Sequence, residues 1–260
     1  VTRDDLVRYL RNMGVPTGLL SDVPGLPAGV EAMLVYGSQA RGDAMPDSDL
    51  DMLALVGESR PTSRSGDVNV SFYTREQLAT GIGTLFGAHL KRDAKILWDD
   101  HGHLTRAIES MGEVDSERLL ERVRKMSELF TTPERDIPKY LPGLTRQARY
   151  LLRSCMYAKA IADSNPCFSV RELAARHHDP HLVQLLASRH HGVESDEDLA
   201  ACLSRLREIT GEFPLSRNGS LEATVVNEWG RPSDLLSMAF MALGVTDKGS
   251  DYAEVEKILL

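Results

Sequence analysis

Between Tyr36 and Leu55 the chain reads YGSQARGDAMPDSDLDMLAL, and this stretch restricts the fold more than any other. A short apolar run, Ala32 to Tyr36, reaches Gly37-Ser38. Ten residues then separate Ser38 from Asp49, and Asp49 and Asp51 enter a second apolar run that continues through Met52, Leu53, Ala54 and Leu55. Residues two apart in an extended segment share a face. Asp49 and Asp51 are therefore expected side by side on one strand, aimed into the loop region closed by Gly37-Ser38. Two parallel carboxylates repel, and a fold tolerates them when a cation sits between them. A hard divalent ion, Mg2+ above all, suits such a pair when phosphate oxygens complete its octahedron. Gly37 lets the backbone approach a phosphate, and Ser38 offers a hydroxyl and an N–H. The plainer alternative is a polar turn followed by a strand with two solvent-facing aspartates.

Gly-Ser, ten residues and Asp-x-Asp resemble the signature of the DNA polymerase β-like nucleotidyltransferase superfamily. Gln39-Ala40-Arg41-Gly42 and Ser48-Asp49 resemble its small bacterial branch, the minimal and the aminoglycoside nucleotidyltransferases. The resemblance spans roughly residues 30 to 100. It implies an α+β protein with an N-terminal polymerase β-like domain, a short mixed sheet with flanking helices, over 1–112, followed by a helical-bundle domain over 113–260. It implies Asp49 and Asp51 as metal ligands and catalytic residues, and Gly37, Ser38, Arg41 and Ser48 as nucleotide-binding residues, although Arg41 reads almost equally as a surface arginine. It also implies a third carboxylate on the following strand, as metal ligand or as base for the attacking hydroxyl.

That third position falls on Asn69, which is neutral and cannot take a proton. Asp67 lies two residues earlier on the same face, and a register shift or bulge would bring it to the cluster. Three readings stand: Asp67 substitutes as a catalytic residue; the base comes from the C-terminal region or the acceptor; or the protein binds nucleotide with weak or lost catalysis. The activity implied by the resemblance is Mg2+-dependent transfer of a nucleoside monophosphate from an NTP, expected to be ATP, to a hydroxyl, releasing pyrophosphate. The acceptor is a small aminoglycoside-like molecule, a protein or an RNA. The rival from another class is a catalytically degenerate nucleotide-binding or antitoxin-type partner protein.

At 260 residues the chain is long enough for one or two domains with a full core. The net charge of −8 argues against general nucleic-acid binding, which draws on a basic surplus, while leaving room for a local basic cleft. No apolar run reaches the length of a membrane span, and the N-terminus lacks the apolar core of a signal peptide. Val1 in place of a methionine indicates that leading residues are missing from the numbering. Cys155, Cys167 and Cys202 are widely spaced and without metal-ligand spacing, so they read as buried thiols of a reducing compartment, by default the cytoplasm.

Local patterns predict a helix over Thr2–Met13, a loop over Gly18–Gly29 holding at most one short helical turn, and a polar loop over Gly57–Gly66. A third strand follows over Asp67–Tyr73, then a helix over Thr74–Phe86 weakened by Gly81 and Gly83, and a helix end leading into a last strand near Ile96–Trp98. His89, Lys91 and Arg92 read as a solvated helix end, with phosphate binding as the alternative. From Val114 onward the periodicity is helical: Ser116–Phe130, a short helix from Thr132-Pro133-Glu134, and breaks at Pro138 and Pro142. Leu144–Ala162 follows, with Ala148, Leu151, Leu152, Cys155 and Ala162 as a buried stripe and Arg146, Arg149 and Arg153 as a solvated ridge opposite, or one that meets a polyanion. Further helices are predicted over Ser169–Arg176, 180–190, Ser195–Ile209, and Leu221–Leu243 with a break at Gly230 and Pro232. Arg176 with His181 resembles the ribonuclease motif of HEPN domains, although Asp179-Pro180 would break the helix carrying it. Arg189-His190-His191 reads as polar surface. Glu228 and Trp229 are candidates to line a cleft, with Trp229 otherwise a core residue.

Overall fold

The computed structural model describes residues 1–46, 48–131, 134–186, 194–231 and 233–244. The expectations for Thr132-Pro133, for residues 187–190, for Arg189-His190-His191 and for Pro232 fall outside these. The chain divides into two compact units, Val1–Glu113 and Val114–Leu260, the first carrying all the strands of the described residues.

The first unit runs α1 (Arg3–Asn12), α2 (Thr17–Asp22), β1 (Val30–Tyr36), α3 (Gly37–Arg41), β2 (Leu50–Val56), β3 (Ser63–Ser65), β4 (Val68–Tyr73), α4 (Arg75–Ala79), α5 (Leu85–Asp93), β5 (Lys95–Asp99) and α6 (His103–Glu109). The strands form one mixed sheet of order β3-β4-β2-β1-β5. β1 is antiparallel to both β2 and β5, β2 is parallel to β4, and β3 is antiparallel to β4. α1 starts where the sequence caps it: Thr2 and Asp5 form a reciprocal capping box. Leu6, Leu10, Leu20 and Val23 of this region pack with Met33, Val35, Leu50, Met52, Ala54, Val68 and Val70 on one face of the sheet.

Strand alternation assigns Leu34, Leu53 and Leu55 to the other face, and all three are fully buried. β2 is thus covered on both sides, which explains its nearly continuous apolar run. Asp51 is the exception. It pairs with Tyr36 of β1 and Asn69 of β4 at the start of β2, on the Leu53 face.

Two local expectations change. The predicted Thr74–Phe86 helix is two helices, because Gly83 takes a positive φ and Thr84 opens a new helix by accepting from the Gly87 N–H. The Gly57–Gly66 loop contains β3, a short edge strand whose three residues pair with β4.

In the second unit, α7 (Ser116–Met126) leads through a 3-10 turn (Ser127–Thr131) to the long α8 (Asp136–Ala162). α9 (Val170–Arg176), α10 (His181–Leu185), α11 (Asp196–Thr210), α12 (Leu221–Glu228) and α13 (Asp234–Ala242) complete it. The break expected at Pro138 and Pro142 is a kink between two helical segments of α8: Tyr140 leaves helical geometry at φ −121°, and Pro142 follows it. Ala148, Leu151, Leu152 and Cys155 are buried as the periodicity required, whereas Ala162, at the end of α8, is exposed.

The arginine ridge is not uniformly solvated. Arg149 is buried and its Nη2 donates to Asp198 of α11 at 2.6 Å, with Glu194 at 3.9 Å. Trp229 is not a core residue; it is 68% exposed and meets Phe240 edge-on. Arg176 and His181 fall on separate helices, α9 and α10, with His178 at φ 51° between them. Arg176 binds the Asn165 side chain and Glu172, so the HEPN-like motif does not form. Cys155, Cys167 and Cys202 are buried free thiols.

Candidate functional site

Asp49 immediately precedes β2 and Asp51 is its second residue, so both project from the strand's first turn of the pleat towards one face. Both are partly buried. β1 ends at Tyr36, and Gly37 turns the chain into α3 with φ +74°. A Cβ at Gly37 would lie 3.1 Å from Asp51 Oδ2, so the absent side chain is what lets the strand end meet the carboxylate. Ser38 is partly buried, and its carbonyl accepts from the Gly42 and Asp43 N–H groups at 2.9 and 3.2 Å, closing the short helix. Ser48 closes a second turn: its Oγ accepts from the Met45 N–H at 2.7 Å and its N–H donates to the Met45 carbonyl at 3.0 Å. Gly37, Asp49 and Asp51 are thus brought together, with Ser38 and Ser48 on the adjoining turns.

Asn69 completes the group. Its Nδ2 donates to Asp49 Oδ2 at 3.2 Å and to Asp51 Oδ1 at 3.1 Å. An ionised carboxylate only accepts, so the amide must face the pair with its nitrogen. Asp67 stands one step earlier, in the turn before β4, and its carbonyl accepts from the Leu50 N–H at 2.9 Å. From Leu50 and Val68 onward β2 and β4 pair in parallel without a register shift or bulge. Among the described residues no group of three or more His, Cys, Asp or Glu side chains is placed to hold a metal ion.

Arg41 is held by Asp43 and by side chains of α5. Its side chain is only 15% exposed and its Nη1 donates to His89 Nε2 at 3.0 Å and to Asp93 Oδ2 at 3.3 Å, while Nε reaches Asp43 at 3.2 Å. Arginine has no acceptor, so His89 accepts through Nε2 and carries its proton on Nδ1. Burial, reinforced by the positive Arg41 and Arg92, pushes His89 down to about 3. Burial also raises the Asp93 carboxyl, against the pull of Arg41 and Arg92. His89 further meets the Tyr36 ring edge-on, and Phe86 stacks on Tyr73. This network ties the end of α3 to α5, and so fixes the segment that begins with Gly37-Ser38. His89 is therefore an internal residue rather than a solvated helix end. Sequence periodicity carried no signal for it, because its partner lies 48 residues away.

No protein-family model matches the chain, and no curated protein matches it. Among solved structures, the chain is similar to one described as a toxin–antitoxin with AMP-PNP, at 14% identity and TM-score 0.26, over 42% of this chain and 84% of that one. It is also similar to a nucleotidyltransferase-like protein from Exiguobacterium sibiricum, at 12% identity and TM-score 0.30, over 89% of this chain and 83% of that one. Both scores are low.

Proposed function

We propose that the protein is a Mg2+-dependent nucleotidyltransferase that moves a nucleoside monophosphate from an NTP, with ATP the expected donor, to a hydroxyl. The observation that carries the reading is the carboxylate pair Asp49 and Asp51 at the start of β2, with the side-chain-free Gly37 pressed against Asp51. The donor set fits a hard divalent cation: two carboxylates converge on one point, now filled by the positive end of the Asn69 amide dipole. Asp49 and Asp51 would hold Mg2+, which supplies neutralisation of the leaving pyrophosphate and a lowered acceptor pKa.

The chain's own residues do the positioning. Gly37 and Ser38 present backbone and hydroxyl to the triphosphate, and Ser48 shapes the turn that delivers Asp49. The Arg41–His89–Asp93 network keeps α3 fixed while the triphosphate docks. The acceptor oxygen bonds to the α-phosphorus, the bond from that phosphorus to the leaving oxygen breaks, and pyrophosphate departs. Asn69 cannot accept the acceptor's proton, and Asp67, in the turn before β4, is the carboxylate we assign to that role. The acceptor is a small aminoglycoside-like molecule, a protein or an RNA hydroxyl, and the acidic balance favours a cationic small molecule or a protein.

Asn69 also supports a second reading, a nucleotide-binding or antitoxin-type partner protein without turnover, because an amide stands where the third carboxylate of a catalyst would. Pyrophosphate release from each NTP, assayed with aminoglycosides, proteins and bulk RNA, separates the two. For an enzyme, Asp51→Ala lowers release by about a hundredfold or more, since a lost metal ligand removes several kcal/mol of charge stabilisation. Nucleotide binding without release under every acceptor would favour the binding protein.

A further inference from the structure

Asn69 stands across from Asp51 in the parallel register of β2 and β4, partly buried, and both of its hydrogen bonds to the pair leave from one nitrogen. A primary amide has two N–H donors. Here each is spent on a different carboxylate, so a single neutral group offsets both negative charges without adding one. A third carboxylate at this position would leave the cation-free site with three like charges, and an apolar residue would remove both of these hydrogen bonds. The amide is therefore suited to both states of the site. With a cation absent it donates through Nδ2, and with a cation present the same side chain, turned about its terminal torsion, offers Oδ1.

From this we infer that Asn69 is a neutral placeholder for the divalent cation: its amide nitrogen bridges Asp49 and Asp51 until the cation enters, and the cation must displace those two hydrogen bonds. The inference rests on the metal-dependent reading of the site. It makes Asn69 a positioning residue whose consequences show in the free protein, before any turnover. The carboxylate pair is preorganised without metal, and the folded state depends little on metal for its stability. Cation affinity is lower than a three-carboxylate site would give, because the amide must be moved aside and contributes no charge.

The test uses the wild-type chain, followed by NMR of the Asn69 side-chain NH2 pair, which is assigned by its disappearance in Asn69→Asp. In EDTA both protons should exchange slowly with water, and titration with Mg2+ should shift the pair and speed its exchange at least severalfold, in step with binding measured by calorimetry. Mg2+ that binds in an Asp51-dependent way but leaves the Asn69 pair unmoved overturns the placeholder and spares the metal site. No Mg2+ binding either by the free chain or with a non-hydrolysable ATP analogue present overturns both. Thermal unfolding supplies a second readout. Wild type should melt within a few degrees with EDTA or Mn2+, whereas Asn69→Asp should melt lower in EDTA and recover with Mn2+, which it should bind at least about tenfold more tightly than wild type. Equal Mn2+ affinity and equal melting in the two proteins would count against the inference.

Discussion

At the scale of single residues, Gly37 and His89 illustrate how backbone freedom and burial build the site. Gly37 adopts φ +74° and any Cβ there meets Asp51 Oδ2 at 3.1 Å. Gly37→Ala should therefore cost about 1–3 kcal/mol of unfolding free energy in urea titrations, through backbone strain alone. A loss below about 0.5 kcal/mol would show that the turn relaxes freely. His89 predicts a pH effect whose sign is fixed. The unfolded imidazole takes a proton near pH 6.5, while the folded one stays neutral down to about 3. Stability is then full above about pH 6.5 and falls as pH drops below it, by up to about 1.4 kcal/mol per unit, because the unfolded chain binds more protons. Asp93, raised by burial, opposes this trend only at the acidic end. His89→Gln, which keeps an acceptor for Arg41, should flatten the stability curve between about pH 6.5 and 4.5 in chemical denaturation. The carboxylate pair was legible in sequence because strand periodicity is local. The Arg41–His89–Asp93 network was not, since it joins α3 to α5 across 48 and 52 residues.

At the scale of elements, caps and alternation were readable and long-range packing was not. Thr2, Thr74, Ser169 and Ser195 each cap the helix that follows, accepting from an N–H three residues on. The apolar run of β2 marked a strand, and the structure explains its continuity by burial on both faces. The burial of Arg149 was hidden, because its partner Asp198 belongs to α11 and a helix pattern says only which residues share a face. The crossing of α8 and α13 was hidden too. It depends on Gly143, where a Cβ would sit 2.0 Å from the Ala242 carbonyl oxygen. That obstacle is backbone and cannot swing aside. Gly143→Ala should lower stability by about 1–3 kcal/mol, as overpacking does, with a matching drop in melting temperature. An unchanged melting temperature would mean that the helices part without penalty.

At the scale of the whole molecule, the α+β class was what the resemblance carried by Tyr36–Leu55 implied, and the helical character of the chain after Val114 was legible from its period near 3.6. Among the described residues no helix is long and apolar enough to cross a membrane. The proposed function rests on residues whose chemistry needs a fixed local spacing, Gly37-Ser38 and Asp49-x-Asp51. The helical unit, Val114–Leu260, carries no comparable signal, so the acceptor is a matter for experiment. The central claim, that Asp49 and Asp51 make a metal-dependent nucleotide site, is tested most directly by binding, which requires no acceptor. The measurement is the affinity of the full chain for a non-hydrolysable ATP analogue, in Mg2+ and in EDTA, for wild type and Asp51→Asn. The account predicts binding at least about tenfold tighter with Mg2+ in wild type and loss of that difference in Asp51→Asn. Equal affinity with and without Mg2+, or no binding by the wild type, would contradict it.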